Sequence, residues 1–233
     1  MIDAFHIVGS GAISTRFFVD ERKARDGILI TDELLALKEK IQFMNFPFEV
    51  EARWRLVETA WELNINRNLL AIKYDSEMNL FFAENKAYRR INITSSRDAL
   101  NGYQKGKCFH CFRDVIIDSS NPEFMTEIDH FFPHVLLAQS PDLNLNGIWN
   151  LVLTCKECNR KKLDQVPSLH LIERLYKRNE FFIQSHHPLR ETIVMQTGLT
   201  PPERRNFLKL ADALAISCRV HRWKPEFEDD PAF

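Results

Sequence analysis

The sequence has no long apolar run, no excess of charge of one sign and few glycines. No stretch approaches the ~18 apolar residues of a membrane helix, so no membrane partner is expected. The 31 basic and 32 acidic residues leave a net charge of −1, which excludes a polycation that coats nucleic acid by charge alone. Gly9 and Gly11 lack the third glycine of a dinucleotide-binding loop. Asp3 and His6 stand where a secretory signal carries basic residues, so we expect a cytoplasmic protein.

The composition is that of an ordinary globular protein. Of the 233 residues, 45% are hydrophobic and 27% are charged, which excludes disorder as the main state. A chain of this length can bury a core without disulfides. Residues 31–44 are predicted to form a helix, and Pro47 is predicted to separate it from a second helix over residues 49–63. Four apolar residues share one face of the second helix, and we expect that face to be buried; they are Val50, Trp54, Val57 and Trp61.

Four of the five cysteines form two pairs with identical C-x2-C spacing. The first pair is Cys108 and Cys111, and the second is Cys155 and Cys158. In a chain without a secretory signal such pairs indicate zinc before a disulfide, since two turns complete the tetrahedral four-sulfur shell of a structural site. Free buried thiols or redox-active thiols are the alternative. His110 lies inside the first pair and is expected to be a bystander, because four cysteines already fill the shell.

Three polar residues near the cysteine pairs have the chemistry of phosphodiester hydrolysis. Asp129 and Asn159 offer the oxygen ligands that Mg²⁺ or Mn²⁺ prefers, and neutral His130 can act as a general base. Because the zinc would clamp the surrounding strands and helix, we expect the three to converge in one cleft. Each also has a structural alternative: Asp129 can cap a turn, His130 can be a satisfied structural histidine and Asn159 can cap a helix.

Three consecutive basic residues follow Asn159, within a basic stretch over residues 156–178. A phosphate beside the cleft would need cationic partners, so we expect these residues to bind nucleic acid. A solvated helix face is the alternative for the whole stretch. The three basic residues are Arg160, Lys161 and Lys162.

Together these motifs resemble an HNH endonuclease of the four-cysteine, zinc-stapled kind. The shared elements are CxxC, Asp-His-x-x-Pro, Asn-Leu and CxxCN with trailing bases, in that order. The resemblance implies an α+β fold with a ββα-metal core over residues 101–165. Mainly helical segments over residues 1–100, with short strands, and 166–233 would flank the core. Asn159 stands where the family motif ends in His, which is the His-Asn-Asn form of the motif.

The resemblance also implies a function. His130 would deprotonate the attacking water, Asp129 and Asn159 would hold one Mg²⁺ or Mn²⁺, and Asn150 would brace the loop that aims the base. The chain is then expected to be a DNA endonuclease with a structural zinc, working in a restriction or phage-defence system. Independently of the resemblance, the near-neutral net charge and a core that is a minority of the chain favour a partner protein or a second copy, which would dock through the helical flanks. The alternative function is a non-catalytic, zinc-stapled module that binds nucleic acid or protein.

Overall fold

The structure is a computed structural model that combines helices with short strands, which confirms the predicted α+β class. None of the helices described is long and apolar enough to cross a bilayer. The described parts of the chain are residues 7–8, 11–12, 14–38, 41–62, 72–84, 90–117, 126–138, 143–185 and 187–233.

The strands described are two to six residues long. They are β1 (Ile7–Val8), β2 (Gly11–Ala12), β3 (Phe18–Asp20), β4 (Ile28–Ile30), β5 (Lys73–Asp75), β6 (Leu80–Glu84), β7 (Arg90–Ser95), β8 (Glu127–His130), β9 (Leu151–Thr154), β10 (Val166–Pro167) and β11 (Arg222–Trp223). Strands β5, β6 and β7 form an antiparallel sheet in that order. The other strands pair two by two, and only the β10–β11 pair among them is parallel.

The helices range from one turn to six. They are α1 (Arg22–Arg25), α2 (Asp32–Lys38), α3 (Ile41–Glu62), α4 (Ser96–Gln104), α5 (Lys156–Lys162), α6 (Leu169–Gln184), α7 (Arg190–Thr197) and α8 (Pro201–Cys218). Helix α8 begins with a complete capping box, in which the Thr200 and Glu203 side chains each bond the other's backbone N–H. Two 3₁₀ turns, His134–Ala138 and Ile148–Asn150, flank the loop between β8 and β9.

Helix α3 corrects two expectations at once. It is continuous from Ile41 to Glu62 with Pro47 inside it, so the predicted break at the proline is wrong. Proline removes one helical hydrogen bond, and the rest of this long helix is held by packing further along. Ala52 and Leu56 supply that packing, since each is 1% exposed in the core.

The tryptophan-bearing face of α3 is not the buried one. Val50, Trp54 and Trp61 are 48%, 51% and 61% exposed, and Val57 is half-buried. The two tryptophan rings contact each other edge to face, with centroids 5.4 Å apart. Helical spacing determines which residues share a face, but it does not determine which apolar face meets the core.

The site is built on the antiparallel β8–β9 pair and on helix α5. Asp129 lies opposite Val152 and His130 lies opposite Leu151 in this register. All four residues of β9 are buried, as expected for a strand inside a core that begins with three apolar residues. Helix α5 begins immediately after β9 and packs against β8. A strand pair and a helix are thereby joined into one ββα unit.

Residues outside this unit hold β9 in place. The side chain of Gln104, in α4, imitates a neighbouring strand: its Nε2 donates to the carbonyl of Leu153 at 2.7 Å, and its Oε1 accepts from the Leu153 N–H at 2.9 Å. The guanidinium of Arg178, in α6, is fully buried and donates to the carbonyls of Trp149 and Leu151 at 3.0 and 2.9 Å. Helices α4 and α6 therefore both support the ββα unit directly.

Candidate active site and zinc centre

The four paired cysteines meet in one cluster. Their sulfur atoms all lie within 4.8 Å of one another, and the Sγ atoms of Cys111 and Cys155 are 3.8 Å apart. A tetrahedral shell with Zn–S bonds of about 2.3 Å separates its sulfurs by about 3.8 Å. Cys155 also caps the start of α5, where its Sγ accepts the N–H of Cys158. The donor set and its spacing fit a four-cysteine zinc site.

Strand β8 and helix α5 face each other through four polar side chains. Glu127 and Asp129 are two residues apart and share one face of the strand. Asn159 and Lys162 are three residues apart and share one face of the helix. The Asn159 Nδ2 donates to Glu127 Oε2 at 2.8 Å, and the Lys162 Nζ donates to Asp129 Oδ1 at 2.8 Å. The Asn159 side chain thus reaches the strand, while Cys155 caps the helix.

Asp129 is a buried carboxylate held by two donors. Lys162 approaches Oδ1, and the ring of His110 approaches Oδ2 at 3.1 Å. Burial pushes the pKa of Asp129 upward, but the charge of Lys162 and the hydrogen bond from His110 outweigh it, and the pKa lies below its ordinary value. The group is therefore ionised at neutral pH. An ionised carboxylate can only accept hydrogen bonds, so His110 must be the donor.

His110 is not part of the four-cysteine cluster, but its ring contacts Asp129. Its ring is fully buried, and burial lowers its pKa, which keeps the imidazole neutral. A neutral imidazole has one donor and one acceptor nitrogen. Because Nε2 donates to Asp129, Nδ1 carries the lone pair, and that atom has no hydrogen-bond partner among the described residues. His110, which lies between Cys108 and Cys111, therefore hydrogen-bonds the Asp129 carboxylate instead of binding a metal.

His130 follows Asp129 at the end of β8 and is half-buried. Lys162 joins the two positions, because its Nζ also donates to the backbone carbonyl of His130 at 2.8 Å. Aromatic side chains border the imidazole: the rings of Tyr74 and His134 have centroids 6.0 and 5.3 Å from its own.

The environment of His130 suits a base. Its Nε2 lies 2.9 Å from Asn146 Oδ1, so the amide oxygen accepts from an Nε2–H. Burial lowers the pKa of His130 below its ordinary value, and the ring is neutral at pH 7. The neutral ring then keeps an unprotonated Nδ1 that can accept a proton.

Asn150 is fully buried and forms three hydrogen bonds to the backbone. Its Oδ1 accepts from the N–H of Phe132 at 2.8 Å, and its Nδ2 donates to the carbonyls of Phe132 and Leu145 at 3.0 and 2.9 Å. The amide thereby uses both of its N–H groups and its oxygen on the chain that leaves β8.

The three consecutive basic residues have different surroundings. Arg160 is exposed. Lys161 is also exposed, but its ammonium pairs with Glu157 at 2.9 Å and with Glu226 at 2.8 Å. Lys162 corrects the prediction that it contacts nucleic acid at the surface, because it is 1% exposed and its ammonium is engaged by Asp129. Of the three, Arg160 is the one placed to meet a phosphate without first losing an acidic partner described here.

Several site residues escaped the sequence analysis. Glu127 and the orientation of Lys162 could have been found from periodicity, since each is one repeat away from a predicted ligand. Tyr74 and Asn146 carry no sequence signal, because they come from separate parts of the chain and meet His130 only in the fold.

Comparison with known proteins covers only part of this site. No curated protein and no solved structure matches the chain. Residues 117–168 match the model of the HNH endonuclease family, so this segment is similar in sequence to HNH endonucleases. The matched segment begins after the first cysteine pair and contains β8, β9, α5 and the second pair. The four-cysteine cluster that holds it fits a zinc site.

Proposed function

We propose that the protein is a metal-dependent endonuclease that hydrolyses phosphodiester bonds in DNA. The observation that supports this most is the ββα unit of β8, β9 and α5 inside the matched segment. That unit carries a neutral histidine at a strand end and hard oxygen donors between strand and helix. A module that only binds nucleic acid needs neither the base nor the oxygen donors.

In this proposal His130 is the general base. Its Nδ1 would take a proton from the attacking water, and the hydrogen bond from Nε2–H to Asn146 keeps the ring in the required tautomer. Asn150 keeps the exit of β8 fixed, so the imidazole is presented at a constant angle. The lowered pKa means that the base is already unprotonated at neutral pH.

Asp129 and Asn159 would hold one Mg²⁺ or Mn²⁺. Such an ion stabilises the negative charge that develops on the scissile phosphate and on the leaving oxygen. The two carboxylate oxygens of Asp129 offer about four lone-pair positions, and Lys162 and His110 use two of them. Asn159 turns its Nδ2 toward Glu127, which leaves the oxygen of the amide as its ligand atom. The donor set therefore fits a hard cation.

Exposed groups near the site would contact the DNA backbone. Arg160 can form a two-pronged contact with a phosphate, and exposed His134 lies beside His130. Contacts of this kind position a duplex without reading its sequence. Lys161 can join them only after exchanging Glu226 for a phosphate.

Plasmid cleavage by the purified, zinc-loaded protein tests the proposal. We expect nicking or linearisation with Mg²⁺ or Mn²⁺ and none with EDTA. His130→Ala should lower the rate by roughly 10²–10⁴-fold while the protein still folds and binds DNA. The matched control is His221→Ala, which removes an exposed histidine far along the chain and should cleave like wild type. An unchanged rate in His130→Ala would refute the assignment of the base.

Two further outcomes would change the proposal. A folded, zinc-loaded protein that binds DNA but does not cleave it with either ion would favour the non-catalytic binding module. The proposal extends to restriction or phage defence, for which plaque counts on cells expressing the wild type or His130→Ala are the measurement. Equal plaque counts would contradict a defence role.

A further inference from the structure

The first cysteine pair reaches the proposed ion site through one side chain. His110 stands between Cys108 and Cys111, and its Nε2 donates to Asp129 Oδ2 at 3.1 Å. The sulfurs of both cysteines belong to the four-cysteine cluster. A single residue therefore connects the zinc turn to the carboxylate proposed to hold the catalytic ion.

The position of His110 is fixed from several sides. Arg174 donates to its backbone carbonyl at 2.8 Å and to that of Phe109 at 2.7 Å. The imidazole lies nearly parallel to the ring of Phe131, with centroids 6.2 Å apart, and Trp223 meets it edge-on at 5.0 Å. A ring held in this way cannot swing aside without disturbing the core. Its donor atom therefore stays directed at Asp129.

The two donors to Asp129 come from different elements. Lys162 belongs to α5 and holds Oδ1, whereas His110 belongs to the zinc turn and holds Oδ2. With one donor alone, the carboxylate can still rotate about its Cβ–Cγ bond. Two donors on different oxygens fix the plane of the carboxylate. A carboxylate that binds a metal is typically oriented by such outer partners, whose loss weakens metal binding or activity by about 10–100-fold.

We propose that His110 is a positioning residue for Asp129, which makes binding of the catalytic ion depend on an ordered zinc turn. This inference rests on the proposed function, because it takes Asp129 to be an ion ligand. It assigns no proton transfer to His110. The residue acts through the orientation of the carboxylate and does not touch the DNA.

Two substitutions separate the hydrogen bond from the packing. His110→Phe keeps a flat ring between Phe131 and Trp223 but removes the donor. His110→Gln restores an N–H donor at about the distance of Nε2. The control is His221→Phe, the same change at an exposed histidine. Zinc content and thermal unfolding of each protein show whether the cysteine cluster and the fold are intact.

The measurement is titration of each zinc-loaded protein with Mn²⁺, following free Mn²⁺ by electron paramagnetic resonance. We expect the Kd for Mn²⁺ to rise about 10–100-fold in His110→Phe, with full zinc content. His110→Gln should recover most of the wild-type affinity, and His221→Phe should equal wild type. The Mn²⁺ concentration for half-maximal plasmid cleavage should shift by the same factor.

The outcomes distinguish this inference from the proposed function. If His110→Phe carries its zinc and binds Mn²⁺ with the wild-type Kd, His110 serves only to pack the core and the inference is overturned while the nuclease proposal stands. If the wild type binds Mn²⁺ and the shift is seen, but no DNA is cleaved, the nuclease proposal fails and the positioning role stands. A wild type that binds no Mn²⁺ overturns both.

Discussion

Lys162→Met tests the buried ion pair on which the geometry of the site depends. Methionine keeps most of the length and the apolar stem of the side chain, so the main change is loss of the ammonium. That ammonium is 1% exposed and lies 2.8 Å from both Asp129 Oδ1 and the carbonyl of His130. Without the ammonium, the buried Asp129 carboxylate keeps only His110 of the two donors described above.

The expected cost follows from the charge left behind. A buried carboxylate without its cation takes up a proton, and protonating a group of ordinary pKa about 3.9 costs roughly 4 kcal/mol at pH 7 and roughly 1.5 kcal/mol at pH 5. The value at pH 7 falls within the range of about 3–5 kcal/mol typical of a broken buried pair. In the variant, the folded-state pKa of Asp129 lies above the unfolded one. The penalty therefore grows as the pH rises above about 4.

Urea unfolding of wild type and variant at pH 5 and pH 7, without added Mg²⁺ or Mn²⁺, measures this cost. The control is Lys161→Met, the adjacent lysine, whose ammonium is exposed and pairs with Glu157 and Glu226 at the surface. We expect no measurable change for the control at either pH. A loss in Lys162→Met below about 1 kcal/mol, or one that is equal at both pH values, would refute the assignment of a buried, ionised pair.

Three other predictions concern the zinc cluster and the core. Cys155→Ser should leave the core unfolded by circular dichroism, since a four-sulfur zinc site contributes about 10–16 kcal/mol; a folded, active variant would contradict this. On helix α3, Leu56→Ala should cost about 2–5 kcal/mol in urea unfolding, whereas Trp54→Ala should cost less than about 1.5 kcal/mol; equal losses would place both faces in the core. Burial lowers the pKa of His187 to about 3, so the unfolded chain takes up its proton first and stability falls as pH drops below about 6.5. His187→Gln should lose roughly 2 kcal/mol less than wild type between pH 7 and pH 5, with His221→Gln as the unchanged control; identical pH profiles would argue against a buried neutral His187.

Much of the site could be read from local patterns. Two C-x2-C turns have few ways to satisfy four thiolates, so the cluster of Cys108, Cys111, Cys155 and Cys158 followed from spacing. Asn159, which directly follows the second pair, lies on α5. The cluster was predictable because each C-x2-C turn places two thiolates side by side locally, although the two turns lie far apart in the chain.

Other features depend on which surfaces meet. Both sides of α3 carry apolar residues, and only packing against the rest of the core decided that Leu56 is buried while Trp54 is not. Tyr74 reaches His130 from a strand more than fifty residues earlier in the chain. Local periodicity contains no information about contacts between distant elements.

The sequence by itself determined the types of the predicted site residues and their order along the chain. The tertiary structure decided the partners of those residues: Lys162 turned inward onto Asp129, and His110 turned from the zinc turn toward the same carboxylate. The physical reason is that a charge buried in a core must be matched by donors close in space. Those donors are chosen by the packing of elements and not by their distance along the chain.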